Sequence, residues 1–484
     1  MINYASTKGG ISPVPFDEAV LQGFAADGGL FVPDAIPEIG LDQLQKWSEL
    51  SYTDLAFEIL SLFIDPSIIP PEQLKRLLNA SFEGFEHPET IPLVKIKYGS
   101  RLHVLELFHG PTLSFKDVAM GFLINTLDYL LGKRGERLSI VLATTGDTGP
   151  AAAHAAAGKP SIDCWPLYPK GMISEEQERQ MTTLDAGNIH PVGVEHCADG
   201  GDDLDLVVAR LFSDPQLKQR LKLSSVNSIN WCRVMVQTIH YFYGYFQAVG
   251  TVGEKVCFSI PSGAFGNLFG GYLAKSMGLP AASFICATNK NQTLFTAFSK
   301  GIFRKYELQQ SVSSAIDIVV PYNFWRFLYF NSGRDPEKIR AWMERFAEKG
   351  EIHLDDKTLE NIRNGYRAIS ISDEETLATM KSVFERSSGY LLDPHGAVAV
   401  AAAAKLEPDL EPGTQVVCLA TAHPAKFPDI IQRALETGAE LPPGARHHSL
   451  EEARHLCQRL RLCDCSHLEP ALIDAMTKVV NAGI

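Results

Sequence analysis

VCFSIPSGAFGNLFGGYLAKSMGLPAASFICAT, residues 256–288, runs from one short apolar segment to another through a glycine-rich turn and a small-residue helical stretch. Val256–Ile260 and Ser283–Thr288 read as buried strands, because each is a brief apolar run bounded by Gly, Pro or polar residues. The intervening 267–277 reads as a helix. A strand, a helix and a second strand in this order make a parallel unit with the helix on one face. The same alternation recurs along the chain. LHVLEL (102–107), LSIVLA (138–143) and VVCLA (416–420) are further strand candidates, and 117–131 is a further helix. The pattern predicts an α/β fold with mostly parallel sheets and flanking helices.

Ligands of such sheets bind outside the carboxyl ends of the strands. Three loops stand there: TTGDTG (144–149), PSGAFGN (261–267) and TAHPAKF (421–427). Gly263 and Gly266 let the backbone of the second loop close around an anion, and the helix that follows points its positive end at the same place. A tight turn without a ligand explains one GxxG equally well. The loop is neither GxGxxG nor a Walker A sequence, so a monophosphate fits it better than a nucleotide. In the first loop, the hydroxyls of Thr144, Thr145 and Thr148 suit an amino-acid carboxylate. Asp147 is out of place among them unless it faces something else, such as a phenolic oxygen or a protonated imine.

FHGPTLSFKDVAMGF (108–122) poses a related puzzle. Ser114 and Asp117 read as a capping box, and Val118, Ala119, Phe122, Leu123 and Leu127 as one buried helical face. Lys116 then falls in the first turn, where the helix dipole disfavours a cation. It is either a solvated surface lysine or a lysine kept partly neutral to act as a nucleophile. A reactive lysine, a monophosphate cradle and a carboxylate loop together point to pyridoxal phosphate acting on an amino acid.

The whole chain of 484 residues has room for one large or several smaller domains. A net charge of −13 argues against a nucleic-acid or anionic-membrane partner, and no apolar run reaches the length of a membrane span. MINYASTKGG lacks a leader pattern, which predicts cytoplasmic residence. Of nine cysteines, Cys257, Cys286 and Cys418 sit in strand candidates and read as reduced core thiols. In the tail, Cys457, Cys463, Cys465, His455 and His467 fall close together without CxxC spacing, so no metal is expected. SLEEARHLCQRLRL (449–462) reads as an amphipathic helix.

FHGPTLSFKD, ATTGDTG, PSGAFGN, NSINWCR and LATAHPAKFP, with YASTKGG and GFAADGGLFVP near the start, resemble the threonine synthases of the longer class. The resemblance runs from Tyr4 to Pro428. It implies the pyridoxal-phosphate fold type II shared with tryptophan synthase β subunits, preceded by an extra N-terminal segment. It divides the chain into that segment (1–90), a catalytic region (91–430) and a helical tail (431–484). It implies conversion of O-phosphohomoserine to threonine and phosphate, hence a small phosphorylated amino acid as partner.

Carried over by position, Lys116 matches the lysine that links covalently to the cofactor. Gly263, Ala264, Phe265, Gly266 and Asn267 match the phosphate loop. Asp147 matches the contact to the cofactor's 3-hydroxyl, and Thr421 the hydroxyl facing its pyridine nitrogen. Thr144, Thr145 and Thr148 fall in the substrate-carboxylate loop. Asn227, Asn230, Arg233 and Lys170 are implied near the substrate phosphate. One departure is Ala264, where the family carries asparagine. It resembles the animal threonine synthase-like proteins, which look like phospho-lyases releasing 2-oxobutyrate and ammonia.

Overall fold

Apolar residues alternate along each strand of the larger sheet, and the two sets enter different cores. Leu105, Phe258, Phe284 and Val417 face one core, and Val104, Cys257, Ile285 and Val416 face the other. Period-2 alternation with both sets apolar is the mark of a sheet covered on both faces. In the computed structural model, which describes residues 2–198, 200–436, 438 and 440–482, this sheet has six strands. Their order is Tyr366–Ser370, Ala281–Thr288, Val256–Pro261, Gln415–Ala420, Leu102–Glu106 and Leu93–Lys95. All neighbours pair in parallel except the last two, which are antiparallel.

A second sheet has five parallel strands in the order Arg461–Asp464, Val192–Glu195, Ile162–Pro169, Leu138–Ala143 and Leu223–Ser224. Ile140, Leu142 and Cys164 turn toward the core shared with the larger sheet. Val141, Trp165 and Val194 turn to the opposite face, which the helices Gly201–Ser213 and Leu468–Ala482 cover through Leu204, Leu211, Leu472 and Met476. The mostly parallel α/β architecture expected from the sequence is therefore present.

Between the sheets runs the helix Lys116–Arg134. It differs from the one-sided helix expected, because Met120, Ile124 and Leu130 are buried along with Val118, Phe122 and Leu127. A helix enclosed by two sheets needs apolar residues all round. Its start also differs: Phe115, not Ser114, is the N-cap, and no side chain caps it. Gly135 closes the other end in the left-handed region, φ 66°, after Lys133 and Arg134, whose charges suit the negative end of the dipole.

The N-terminal residues form the short helices Phe16–Gln22, Leu41–Trp47, Tyr52–Ser61 and Pro71–Phe82. They join the shared core through Tyr4, Phe16 and Phe63. The tail is not the single helix expected over 449–462. A helix covers only His448–Ala453, and Arg461–Asp464 is an edge strand paired with Val192–Glu195. Edge pairing outweighs the helical pattern there. No helix among the described residues is long and apolar enough to cross a membrane.

Candidate functional site

The loops after Leu102–Glu106, Val256–Pro261 and Gln415–Ala420, from one sheet, meet the loop after Leu138–Ala143, from the other. A cleft opens where they meet, lined among others by Lys116, Asp147, Ser228, Arg233, Gln237, Gly263 to Leu268, Ala315, His395 and Thr421.

Lys116 is presented by a tightly folded loop. Asp117 turns back, accepting from Thr112 N at 2.8 Å and from Thr112 Oγ1 at 2.6 Å. Gly110 is required here, since a Cβ would lie 2.5 Å from Asp117 Cβ. Leu113 adopts φ 58°, a strained conformation for a side-chain-bearing residue. The loop is sewn to the Thr421 loop by Phe115 N to Thr421 O at 2.8 Å and His423 N to Leu113 O at 2.9 Å.

The Lys116 ammonium, 4.3 Å from the Phe115 ring centroid, has no hydrogen bond or ion pair among the described residues. Its side chain keeps one face open to the cleft but is otherwise enclosed. That enclosure, helped by Arg233 and opposed by Asp147, lowers its pKa from 10.5 to about 8.

The phosphate-loop candidate is defined by what it leaves open. Ser262 N bonds to Ala287 O at 2.8 Å, but the N–H groups of Gly263, Ala264, Phe265, Gly266, Asn267 and Leu268 meet no acceptor among the described residues. Phe265, at φ 66°, turns the chain into the helix Gly266–Ser276, which lacks a side-chain cap. Gly263 is pressed against Ile316, whose Cα would be 2.8 Å from an added Cβ. Asn267 Oδ1 accepts from Tyr241 at 2.9 Å and sits 2.8 Å from His240 Nε2, leaving its buried Nδ2 without a partner. Such a run of amides at a helix start is an anion site.

Arg233 is 2% exposed and has no ion pair among the described residues. One guanidinium nitrogen donates to Val226 O at 3.0 Å, and buried Nε is unpartnered. Burial lowers its pKa from the ordinary arginine value to about 10, partly offset by Cys232. A buried cation without a carboxylate is suited to an anionic guest.

Asp147 has partners that its sequence reading did not include. Its Oδ1 lies 2.6 Å from Lys426 Nζ and accepts from Gln177 at 3.0 Å, with both charged groups almost fully buried. Burial pushes the carboxyl up, but Lys426, with Gln177 and His395, brings the net shift down. Oδ2 has no hydrogen-bond partner among the described residues. Thr144 Oγ1 is engaged within its own loop, accepting from Gly146 N at 3.2 Å and Gly149 N at 3.1 Å. The amides of Thr145, Asp147 and Thr148 stay free of acceptors among the described residues.

The cleft thus gathers Lys116, Asp147, Arg233, Gly263, Ala264, Phe265, Gly266, Asn267 and Thr421. It does not gather the rest. Thr144, Thr145 and Thr148 are not among the lining residues but flank Asp147, with Thr144 buried, Thr145 exposed and Thr148 half-buried. Asn227 is exposed. Asn230 spends its amide structurally, capping the helix Trp231–Val236 through Cys232 N and donating to Val20 O at 2.8 Å. Lys170 pairs with Glu178.

Sequence reasoning missed Lys426, although an acid in an anion-binding loop is itself a signal that a cation must be near. It also missed His395, whose Nδ1 is 2.7 Å from Asp393 and whose Nε2 accepts from Ala315 N at 3.0 Å. No local pattern marked it. The tail cysteines and histidines do not converge as one group: Cys457 is exposed, and Cys465 instead nears Cys197 and Asp203.

The residues fit pyridoxal phosphate: open amides at a helix start suit its phosphate, and a lysine of lowered pKa lines the same cleft. The comparisons agree. Residues 3–82 match the family profile "Threonine synthase N terminus", 86–422 "Pyridoxal-phosphate dependent enzyme" and 396–468 "Threonine synthase, C-terminal". The chain is 37% identical over 467 residues to threonine synthase of Schizosaccharomyces pombe, covering 90% of each. It is 38% identical to threonine synthase-like 2 of Rattus norvegicus, covering 90% of this chain and 91% of that one. The solved pyridoxal-phosphate-bound threonine synthase of Brucella melitensis superposes with a TM-score of 0.92, at 36% identity over 99% of each chain.

Proposed function

The chain belongs to the threonine synthase family of pyridoxal-phosphate-dependent enzymes, and on that premise we propose that its cleft converts O-phosphohomoserine and water to L-threonine and phosphate. The observation that carries this reading is the run of six open amides from Gly263 to Leu268 beside a lysine of depressed pKa. Those amides and the Asn267 Nδ2 would hold the cofactor phosphate, Lys116 Nζ would bind the cofactor covalently, and Asp147 and Thr421 would be its polar partners, at the 3-hydroxyl and the pyridine nitrogen respectively.

When bound, the cofactor accepts the negative charge that develops at the substrate Cα. The chain's own residues do the rest. The free amides of Thr145, Asp147 and Thr148 receive the substrate carboxylate, and Lys426 cancels the charge of Asp147 that would otherwise repel it. Arg233 binds the substrate phosphate and, because it stays charged, supports its departure. Once the substrate amine has displaced it from the cofactor, Lys116 Nζ would remove the α proton, which only its neutral form can do; burial at this position favours that form. The division into 1–90, 91–430 and 431–484 and cytoplasmic residence belong to the same proposal.

The test is product analysis with O-phosphohomoserine. Threonine and phosphate in equal amounts are expected. 2-Oxobutyrate and ammonia in place of threonine would make the protein a phospho-lyase, the outcome to which Ala264 draws attention.

A further inference from the structure

The tail reaches both loops that frame the cleft. Leu450, on the helix His448–Ala453, forms a small buried cluster with Leu113 and Ala425. Leu113 lies three residues before Lys116, and Ala425 four after Thr421. At the start of that helix two neighbouring imidazoles, 4.5 Å apart between ring centroids, meet one carboxylate. His447 Nε2 is 3.2 Å from Glu86 Oε2, and His448 Nε2 is 3.5 Å from Glu86 Oε1. Glu86 is itself anchored to the Lys116 loop, its N–H donating to His109 O at 2.9 Å.

We propose that Glu86, His447 and His448 bind a divalent d-block cation of the zinc or nickel class, which pins the C-terminal segment onto the loops carrying Lys116 and Thr421. The donor atoms lie within 4.8 Å of one another. Ligands at about 2.1 Å from one ion stand up to about 4 Å apart, so a small contraction completes the arrangement. Two imidazoles and a carboxylate suit zinc, nickel or cobalt, whereas magnesium and calcium favour oxygen donors throughout. Glu86 and His448 are exposed, so water fills the remaining positions.

His447 is the structured ligand. Its Nδ1 accepts weakly from Ser449 N at 3.3 Å and lies 2.8 Å from Ser449 Oγ. Binding moves its proton from Nε2 to Nδ1, which then donates to the Ser449 hydroxyl and fixes the ring. The His423 ring stands edge-on behind it at 5.0 Å, joining the Thr421 loop to the same cluster.

The experiment adds zinc chloride alone to chelator-treated holoenzyme. Calorimetry should show one equivalent bound per chain, and amide exchange should slow in residues 443–453 and 108–115. Glu86→Gln combined with His448→Gln, both at exposed positions, should weaken binding by about 100-fold or more. Cys197→Ser with Cys465→Ser should leave it unchanged. Undiminished binding in the Glu86/His448 variant, or loss in the cysteine variant instead, would place the ion elsewhere and overturn the site. Binding without slower exchange would overturn the pinning.

Discussion

GAFGN and TTGDTG look alike on paper: each follows a buried strand, opens a helix and is rich in glycine or hydroxyl residues. The structure separates them. The first leaves six consecutive amides open and carries no acid, and its asparagine is held from outside by Tyr241 and His240. The second uses Thr144 to tie its own turn, leaves three amides open, and carries an acid whose charge is neutralised by Lys426. The difference suits the tasks proposed for them. A phosphate that stays bound calls for many fixed donors and no opposing charge. A carboxylate that comes and goes calls for fewer donors and a balanced field.

The most severe break isolates the first loop. Lys116→Ala should reduce turnover to background and abolish the visible band of covalently held cofactor, while phosphate contacts retain some cofactor on gel filtration. In wild-type apoenzyme, the rate of cofactor capture should rise with pH and level off above about 8, following the neutral amine. A band of normal intensity in the variant would remove Lys116 from its assigned role.

Lys426→Met attacks the second loop by stranding Asp147. Breaking a buried pair from one side should cost about 3–5 kcal/mol, read from urea unfolding at neutral pH. Adding Asp147→Asn should recover most of it. The sign with pH is fixed by the lowered Asp147 pKa. The pair stabilises the native state above the unfolded carboxylate value, and the contribution fades as pH falls through the folded value. The stability gap between wild type and Lys426→Met should therefore shrink in acid. A gap independent of pH would mean that the pair's charge is not the cause.

Arg233→Ala should raise KM for O-phosphohomoserine by the equivalent of about 1.5–3 kcal/mol while cofactor content, measured by absorbance, stays near wild type. Loss of cofactor instead would assign Arg233 to the first loop's phosphate.

Ala264→Asn should have the smallest effect. The position is partly open and the loop binds through its backbone, so cofactor affinity should change by less than about 0.5 kcal/mol. A larger gain would show that the family asparagine contributes through its side chain. A product ratio shifted toward threonine would tie residue 264 to the choice between water addition and release.

Local signals carried far in the sequence because they are local in physics. Apolar runs of strand length located all five strand candidates, and glycine spacing located the loop whose amides stand open. The misplaced charge of Lys116 was legible because a helix start disfavours any cation. Where the reading failed, a distant segment had decided the outcome. Asn230 resembles a substrate ligand in its motif, yet Val20 claims its amide. The 449–462 stretch has a helical pattern, yet the open edge at Val192–Glu195 takes part of it as a strand.

The sequence alone determined the α/β class and the three loops, and it singled out Lys116 as a candidate, since each depends on residues a few positions apart. Only the tertiary structure decided that Lys426 neutralises Asp147, that Arg233 is buried without a carboxylate, and that Glu86 meets His447 and His448. Charge balance in a buried site is set by through-space distance, and residues hundreds of positions apart in the chain come within hydrogen-bonding range only when the sheets close around them.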